Sequence, residues 1–153
     1  MTRKWIVAHD FSDEAALALD HAARVLQALG DGELVLAHVH APITTGFAID
    51  LGATAAFQDV DRTLEHEAEG RLADVAKAVA EAHPGLTVRA VVEPGAPADH
   101  LVELAKREGA EHIVVGSHGR KGLERFFLGS VAERVVRLSE CPVTVVKGKP
   151  TAA

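Results

Sequence analysis

Gly116-Ser117-His118-Gly119, followed nine residues later by Gly129-Ser130, is the stretch of this chain best suited to chemistry. It comes just after the apolar run Ile113-Val114-Val115 and just before the helix-like segment Val131-Ala132-Glu133-Arg134-Val135-Val136. Glycines let a ligand approach the backbone and tolerate positive φ. A helix start offers unpaired N–H groups carrying partial positive charge. Strand, glycine loop and helix start in that order make a place for an anion, and phosphate is its common guest. The expectation is a phosphate or nucleotide binder that holds phosphate mostly by main chain.

The motifs of other nucleotide chemistries are missing. There is no G-x-x-x-x-G-K-[ST], so the chain is not a P-loop NTPase. No G-x-G-x-x-G follows the first apolar run, which argues against dinucleotide oxidoreduction. A nucleophile elbow, a Ser-Gly-Gly pyrophosphatase loop and a His-x-Gly-His transferase motif are also absent. No paired carboxylates or evident general base accompany the glycines, so fast ATP hydrolysis is not expected and the chain reads as a non-enzyme.

These residues need elements to position them. Trp5 to His9 reads as a buried strand, and Ser12 caps a helix running to about Leu29, where Gly30 ends it. Glu33 to His40 is a second strand. Pro42, Gly46 and Gly52 mark a loop from Ala41 to about Thr54. Phe57, Val60, Leu64, Ala68, Leu72, Val75, Ala76 and Val79 then keep a helical period, closed by His83-Pro84-Gly85. Leu86 to Glu93 is a third strand. Pro97 opens a helix that Gly109 stops. His112 to Gly116, a helix from Ser130 to about Leu138, and Pro142 to Val146 complete the series.

Strands alternating with helices imply a parallel sheet covered on both faces. The expected architecture is a single-domain, doubly wound α/β fold with five parallel strands in the order 3-2-1-4-5. The domain covers residues 1–147, and 148–153 form a frayed tail. In that order the winding reverses between strands 1 and 4, and ligands bind at the carboxyl ends there. Those ends carry His9-Asp10 and the Gly116–Gly119 run, so motif and topology indicate one crevice.

The full pattern resembles the universal stress protein family. Gly116, Gly119, Gly129 and Ser130 fit the glycine pattern of its ATP-binding members at every position. Ile6-Val7-Ala8-His9-Asp10-Phe11-Ser12 and Cys141-Pro142-Val143-Thr144-Val145-Val146 are also family-like, and Ala41–Phe57 matches least. The resemblance implies ATP binding, with Ala8, His9 and Asp10 beside adenine and ribose and Val39 against adenine. It implies that Val115, Gly116, Ser117, His118 and Gly119 wall the ribose and phosphates. Gly129, Ser130, Val131 and Ala132 then bind phosphate. Arg120 and Lys121 flank the loop, either screening phosphate or lying solvated at the surface. Mg2+ or Mn2+ would ride on the phosphates, needing no dedicated protein cage. The implied role is a nucleotide-dependent stress-response sensor or regulator. The alternatives are a dimeric interaction protein that binds no nucleotide, a slow ATPase, and a binder of AMP or cyclic AMP. The resemblance also implies a homodimer through Val143–Val146, an apolar strand that is a free edge if unpaired. A regulatory protein partner is expected, of unknown kind.

His9 departs from the family, which more often has an apolar or hydroxyl residue there. Its ring either tunes binding with pH or packs against a neighbour while only its backbone meets the ligand. His38 and His40 share a face of their strand, but no ligand set with metal spacing surrounds them and no dedicated metal site is expected.

Composition narrows the remaining classes. Sixteen Lys and Arg against 22 Asp and Glu give a net charge of −6, with no basic stripe. Tyrosine is absent and aromatics are 4% of the chain, so nucleic acid has neither a charged track nor a stacking platform. The single cysteine, Cys141, permits no intramolecular disulfide. No run approaches the ~18 apolar residues of a membrane span, and the short N-terminal run is no signal peptide. The chain reads as cytoplasmic.

Overall fold

A computed structural model describes residues 2–43, 52, 54–118 and 128–148. Among them run β1 (Lys4–Ala8), α1 (Asp13–Ala28), β2 (Gly32–His40), α2 (Thr54–Ala82), β3 (Leu86–Pro94), α3 (Pro97–Glu108), β4 (His112–Gly116), α4 (Ser130–Leu138) and β5 (Val143–Val146). The strands form one parallel sheet in the order β3-β2-β1-β4-β5. The expected architecture is therefore the observed one.

Strand periodicity divides the core in two. Trp5, Val7, Leu34, Leu36 and Val114 point to one face and pack with Ala18, Leu19, Ala22 and Leu26 of α1 and Leu72 and Ala76 of α2. Ile6, Val35, Ala37, Ile113 and Val115 point to the other and meet Leu101, Leu104 and Ala105 of α3 and Ala132 and Val135 of α4. Ile6, Val7, Leu34, Leu36, Ile113 and Val114 are fully buried. Each such side chain contributes about 1.5–3 kcal/mol by leaving water, enough to fix the register on both faces.

Helix ends follow local chemistry. Ser12 Oγ accepts the Ala15 N–H at 3.1 Å and caps α1. Gly109 closes α3 at φ 64, a left-handed stop that a Cβ would oppose. At the amino end of the sheet, Lys4 and Arg89 each pair with both Glu33 and Glu108, at 2.6–3.5 Å. This ring of alternating charge ties β1, β2, β3 and α3 together far from the glycine motif.

Strand boundaries differ from the expected ones by a residue: β1 runs Lys4–Ala8 rather than Trp5–His9, β2 begins at Gly32 and β3 ends at Pro94. Pro142 lies outside β5: its ring leaves no N–H to donate, but its carbonyl accepts the Ile113 amide at 3.0 Å. Gly148 ends the described chain, so the expected tail lies almost wholly outside the described residues.

Candidate nucleotide site

The crevice opens where the central strands part. β1 and β4 pair from Trp5–His112 to Val7–Val114, and the pairing goes no further. Beyond it, Ala8, His9 and Asp10 leave one strand while Val115, Gly116, Ser117 and His118 leave the other. Val39 stands near the carboxyl end of β2, and Ala8, Val39 and Val145 pack with Val115 on the α3/α4 face.

The two halves of the glycine motif meet directly. The Gly129 amide donates to the Ser117 carbonyl at 2.6 Å, and the Ser117 amide donates to the Val146 carbonyl at 2.9 Å. Ser117 is 4% exposed, so this junction is buried. Gly129 is the N-cap of α4, at φ −60 and ψ 156, and makes no side-chain cap bond. The helix therefore begins at Ser130, as expected, with Gly129 as its cap. Gly129 takes the extended conformation that an N-cap needs, which leaves Ser130 inside the first turn. Ser130, Val131 and Ala132 supply the first N–H groups of the helix, and no side chain covers them from the N-cap.

The glycines act through their lack of a side chain more than through unusual torsion. Neither Gly116 nor Gly129 has positive φ. A Cβ on Gly116 would lie 3.1 Å from the backbone carbon and oxygen of Glu14, so α1 reaches β4 only because residue 116 is glycine. Glu14, which sequence reasoning missed, also accepts the Ser117 hydroxyl at 3.4 Å. Gly119 and Arg120, with Lys121, lie outside the described residues.

Asp10 stands in a tight turn. Its Oδ1 accepts the Ser12 amide at 3.0 Å and the Ser12 hydroxyl. The Asp-x-Ser spacing is the available sequence signal for that turn. Phe11, between them, sits at φ 64 and is the single non-glycine positive-φ residue among those described. A bulky residue there costs on the order of 1 kcal/mol and needs neighbours to hold it.

His9 supplies part of that hold. Its amide donates to the Ala37 carbonyl at 2.8 Å, and its carbonyl accepts from His38 Nδ1 at 2.8 Å. The ring lies against Phe11, and its Nδ1 accepts the Phe11 amide at 3.1 Å. Phe11 also meets the His38 ring and the Arg71 guanidinium, 4.0 Å from its centroid. Of the two expectations for His9, the structure gives the packed ring. Burial, with smaller contributions from His38 and Arg71, holds its pKa below the ordinary histidine value against the pull of Asp10.

His38 and His40 do lie parallel on one face, with ring centroids 6.4 Å apart. Among the described residues, no group of three His, Cys, Asp or Glu side chains is arranged to hold a metal ion. None of the described helices is long and apolar enough to cross a membrane.

A five-stranded parallel sheet whose winding reverses between β1 and β4, with helices on both faces, defines a doubly wound α/β protein. The sequence profile of the Universal stress protein family matches residues 1–147, and the chain belongs to that family. It is 38% identical over 154 residues to Universal stress protein YxiE of Bacillus subtilis (strain 168), covering 96% of this chain and 100% of that one. Universal stress protein MJ0577 of Methanocaldococcus jannaschii is 31% identical over 160 residues, covering 97% of each. The solved structure of MJ0577 superposes with a TM-score of 0.83 at 30% identity, over 99% of both chains. A universal stress protein solved in complex with cAMP superposes with a TM-score of 0.64 at 27% identity, over 97% of this chain and 98% of that one.

Proposed function

We propose that this protein binds an adenine nucleotide, ATP in the first instance, and acts as a nucleotide-dependent regulator in the stress response. The observation that carries the reading is the Gly129–Ser117 hydrogen bond. It sets the uncapped start of α4 beside the end of β4, and both belong to one glycine pattern. Phosphates would take the N–H groups of Ser130, Val131 and Ala132 and the Ser130 hydroxyl. Adenine and ribose would lie toward Ala8, Asp10 and Val39. Mg2+ or Mn2+ would be held by phosphate oxygens and water.

The protein is proposed as a binder and not as an enzyme of fast turnover. Binding to the folded state alone stabilises it by mass action. β5 lies at the edge of the sheet, and pairing of Val143–Val146 with the same strand of a second copy would cover that edge. Through this dimer the nucleotide would bias a surface read by a partner protein in the cytoplasm.

A second reading, cyclic AMP in place of ATP, is favoured by the relative solved with cAMP. Mass spectrometry of small molecules released by denaturing fresh protein separates the two. Titration with ATP and with cyclic AMP, each with and without magnesium, gives the affinities. ATP recovered, or bound at micromolar concentration, supports the first reading, and a preference for cyclic AMP supports the second. No binding of either points to an interaction protein with the glycine motif kept as scaffold.

A further inference from the structure

We propose that His9 is a positioning residue for the nucleotide site, its unprotonated Nδ1 fixing Phe11 and through it the Asp10 carboxylate. The inference rests on the adenine-nucleotide reading above. Its geometric link from His9 to Phe11 stands apart from that reading.

Nδ1 accepts an N–H, so it carries no proton, and the neutral ring holds its proton on Nε2. Protonation turns Nδ1 into a donor aimed at another donor, the Phe11 amide. That amide belongs to a residue in the left-handed region, so loss of its acceptor releases a conformation that bulky residues avoid. Asp10 lies between the two partners in sequence, and its Oδ1 is tied to Ser12 at the far side of the same turn. Turning Phe11 therefore turns Asp10. The histidine ring packs with Phe11 toward α1 and α2, while the Asp10 carboxylate beside it in sequence is tied to Ser12.

Solvent reaches this side of the sheet through a groove of about 570 Å³ between α1 and α2, with His9 and Phe11 among its walls. The charged groups around the ring come from every packed element. Asp10 adjoins it, His38 comes from β2, and Arg71 lies over Phe11 from α2. Asp13 and Asp20 of α1, Asp74 of α2 and His83 just beyond it line the same groove. Burial above all, with smaller contributions from His38 and Arg71, lowers the pKa of the ring from the ordinary histidine value against the pull of Asp10, which favours the neutral ring at neutral pH. The turn is thus held at neutral pH and released in acid.

His9→Asn keeps an acceptor near the Nδ1 position and does not titrate; His9→Phe keeps the bulk without an acceptor. ATP affinity is measured for all three proteins from pH 5 to 8. The ratio of wild type to His9→Asn at each pH cancels the titration of the ligand's phosphate. That ratio is expected to be level above about pH 6.5 and to fall progressively as the pH drops toward about 5. His9→Phe is expected to bind about tenfold more weakly at pH 7.5, with His9→Asn within threefold of wild type. A level ratio across the range, or wild-type affinity in His9→Phe, overturns the proposal. Without nucleotide, the Phe11 amide resonance must titrate together with the His9 ring nitrogens; independent titration overturns it too. If no variant and no wild type binds ATP at pH 7.5, the nucleotide reading has failed. Coupled His9–Phe11 titration then still supports the turn, and uncoupled titration refutes it.

Discussion

The Gly129 amide and the Ser117 carbonyl are hydrogen-bonded at 2.6 Å, which joins the end of β4 to the start of α4. The bond holds the two ends of the glycine pattern side by side.

An aspartate at position 129 separates helix stability from ligand binding. Aspartate is a favoured N-cap, and the backbone there is already extended, so Gly129→Asp is expected to stabilise α4 by a few tenths of a kcal/mol or leave it unchanged. The same carboxylate occupies the N–H groups proposed for phosphate and adds a negative charge beside it. ATP affinity should fall at least tenfold while the urea midpoint holds. Unchanged ATP affinity in a folded Gly129→Asp protein removes phosphate from this helix start.

Asp10→Asn isolates charge from shape. The amide oxygen can still accept from the Ser12 amide and hydroxyl, so the turn is kept. A ribose hydroxyl bonded to a carboxylate is stronger than one bonded to a neutral oxygen by about 1 kcal/mol, or roughly fivefold in affinity. Adenosine and ATP should weaken alike by that factor in calorimetric titration. A loss seen with ATP and not with adenosine would move Asp10 to the phosphate end.

Gly116→Ala tests packing. The new methyl meets Glu14 main-chain atoms at 3.1 Å, and a helix backbone yields less readily than a side chain. The expected cost is about 1–3 kcal/mol by urea unfolding. Because α1 is pushed from β4, nucleotide affinity should fall as well. An unchanged midpoint would mean that the first turn of α1 moves freely.

Acid should weaken the fold through two carboxylates. The Arg89 hydrogen bond, with help from Lys4, holds Glu108 below the usual carboxylate range. Hydrogen bonding from His100, followed by Arg107, does the same for Glu93. Both pKa values are lower folded than unfolded, so their contribution is complete above about pH 4.3 and is lost as the pH falls through the folded values. Urea midpoints from pH 6 to 2.5 should drop less steeply for Glu108→Gln than for wild type. Parallel acid limbs would show that the charge ring carries no pH-linked stability.

Much of the architecture was legible because it depends on periods and punctuation. Alternating apolar strands and helical repeats gave the element order, and Ser12, Gly30, Gly109 and the Pro84-Gly85 pair marked ends by local torsion and capping. The crevice was legible because right-handed connections leave few strand orders. Two features were not. The direction of the His9 ring depends on Phe11, His38 and Arg71, which meet only in three dimensions. Gly116 read as room for a ligand, whereas its open side is filled by the backbone of Glu14, an element far away in sequence.

Two helices start at the same rim of the sheet, yet they treat charge differently. α1 closes its first amides with Ser12 and places Asp13 and Glu14 in its first turn. α4 has no side-chain bond from its cap Gly129, and its first-turn acid, Glu133, is paired with Arg137. An elongated guest with one anionic end therefore meets repulsion on one bank and attraction on the other. The rim has a polarity, and it sets which way round such a guest must lie before any base-specific contact is made.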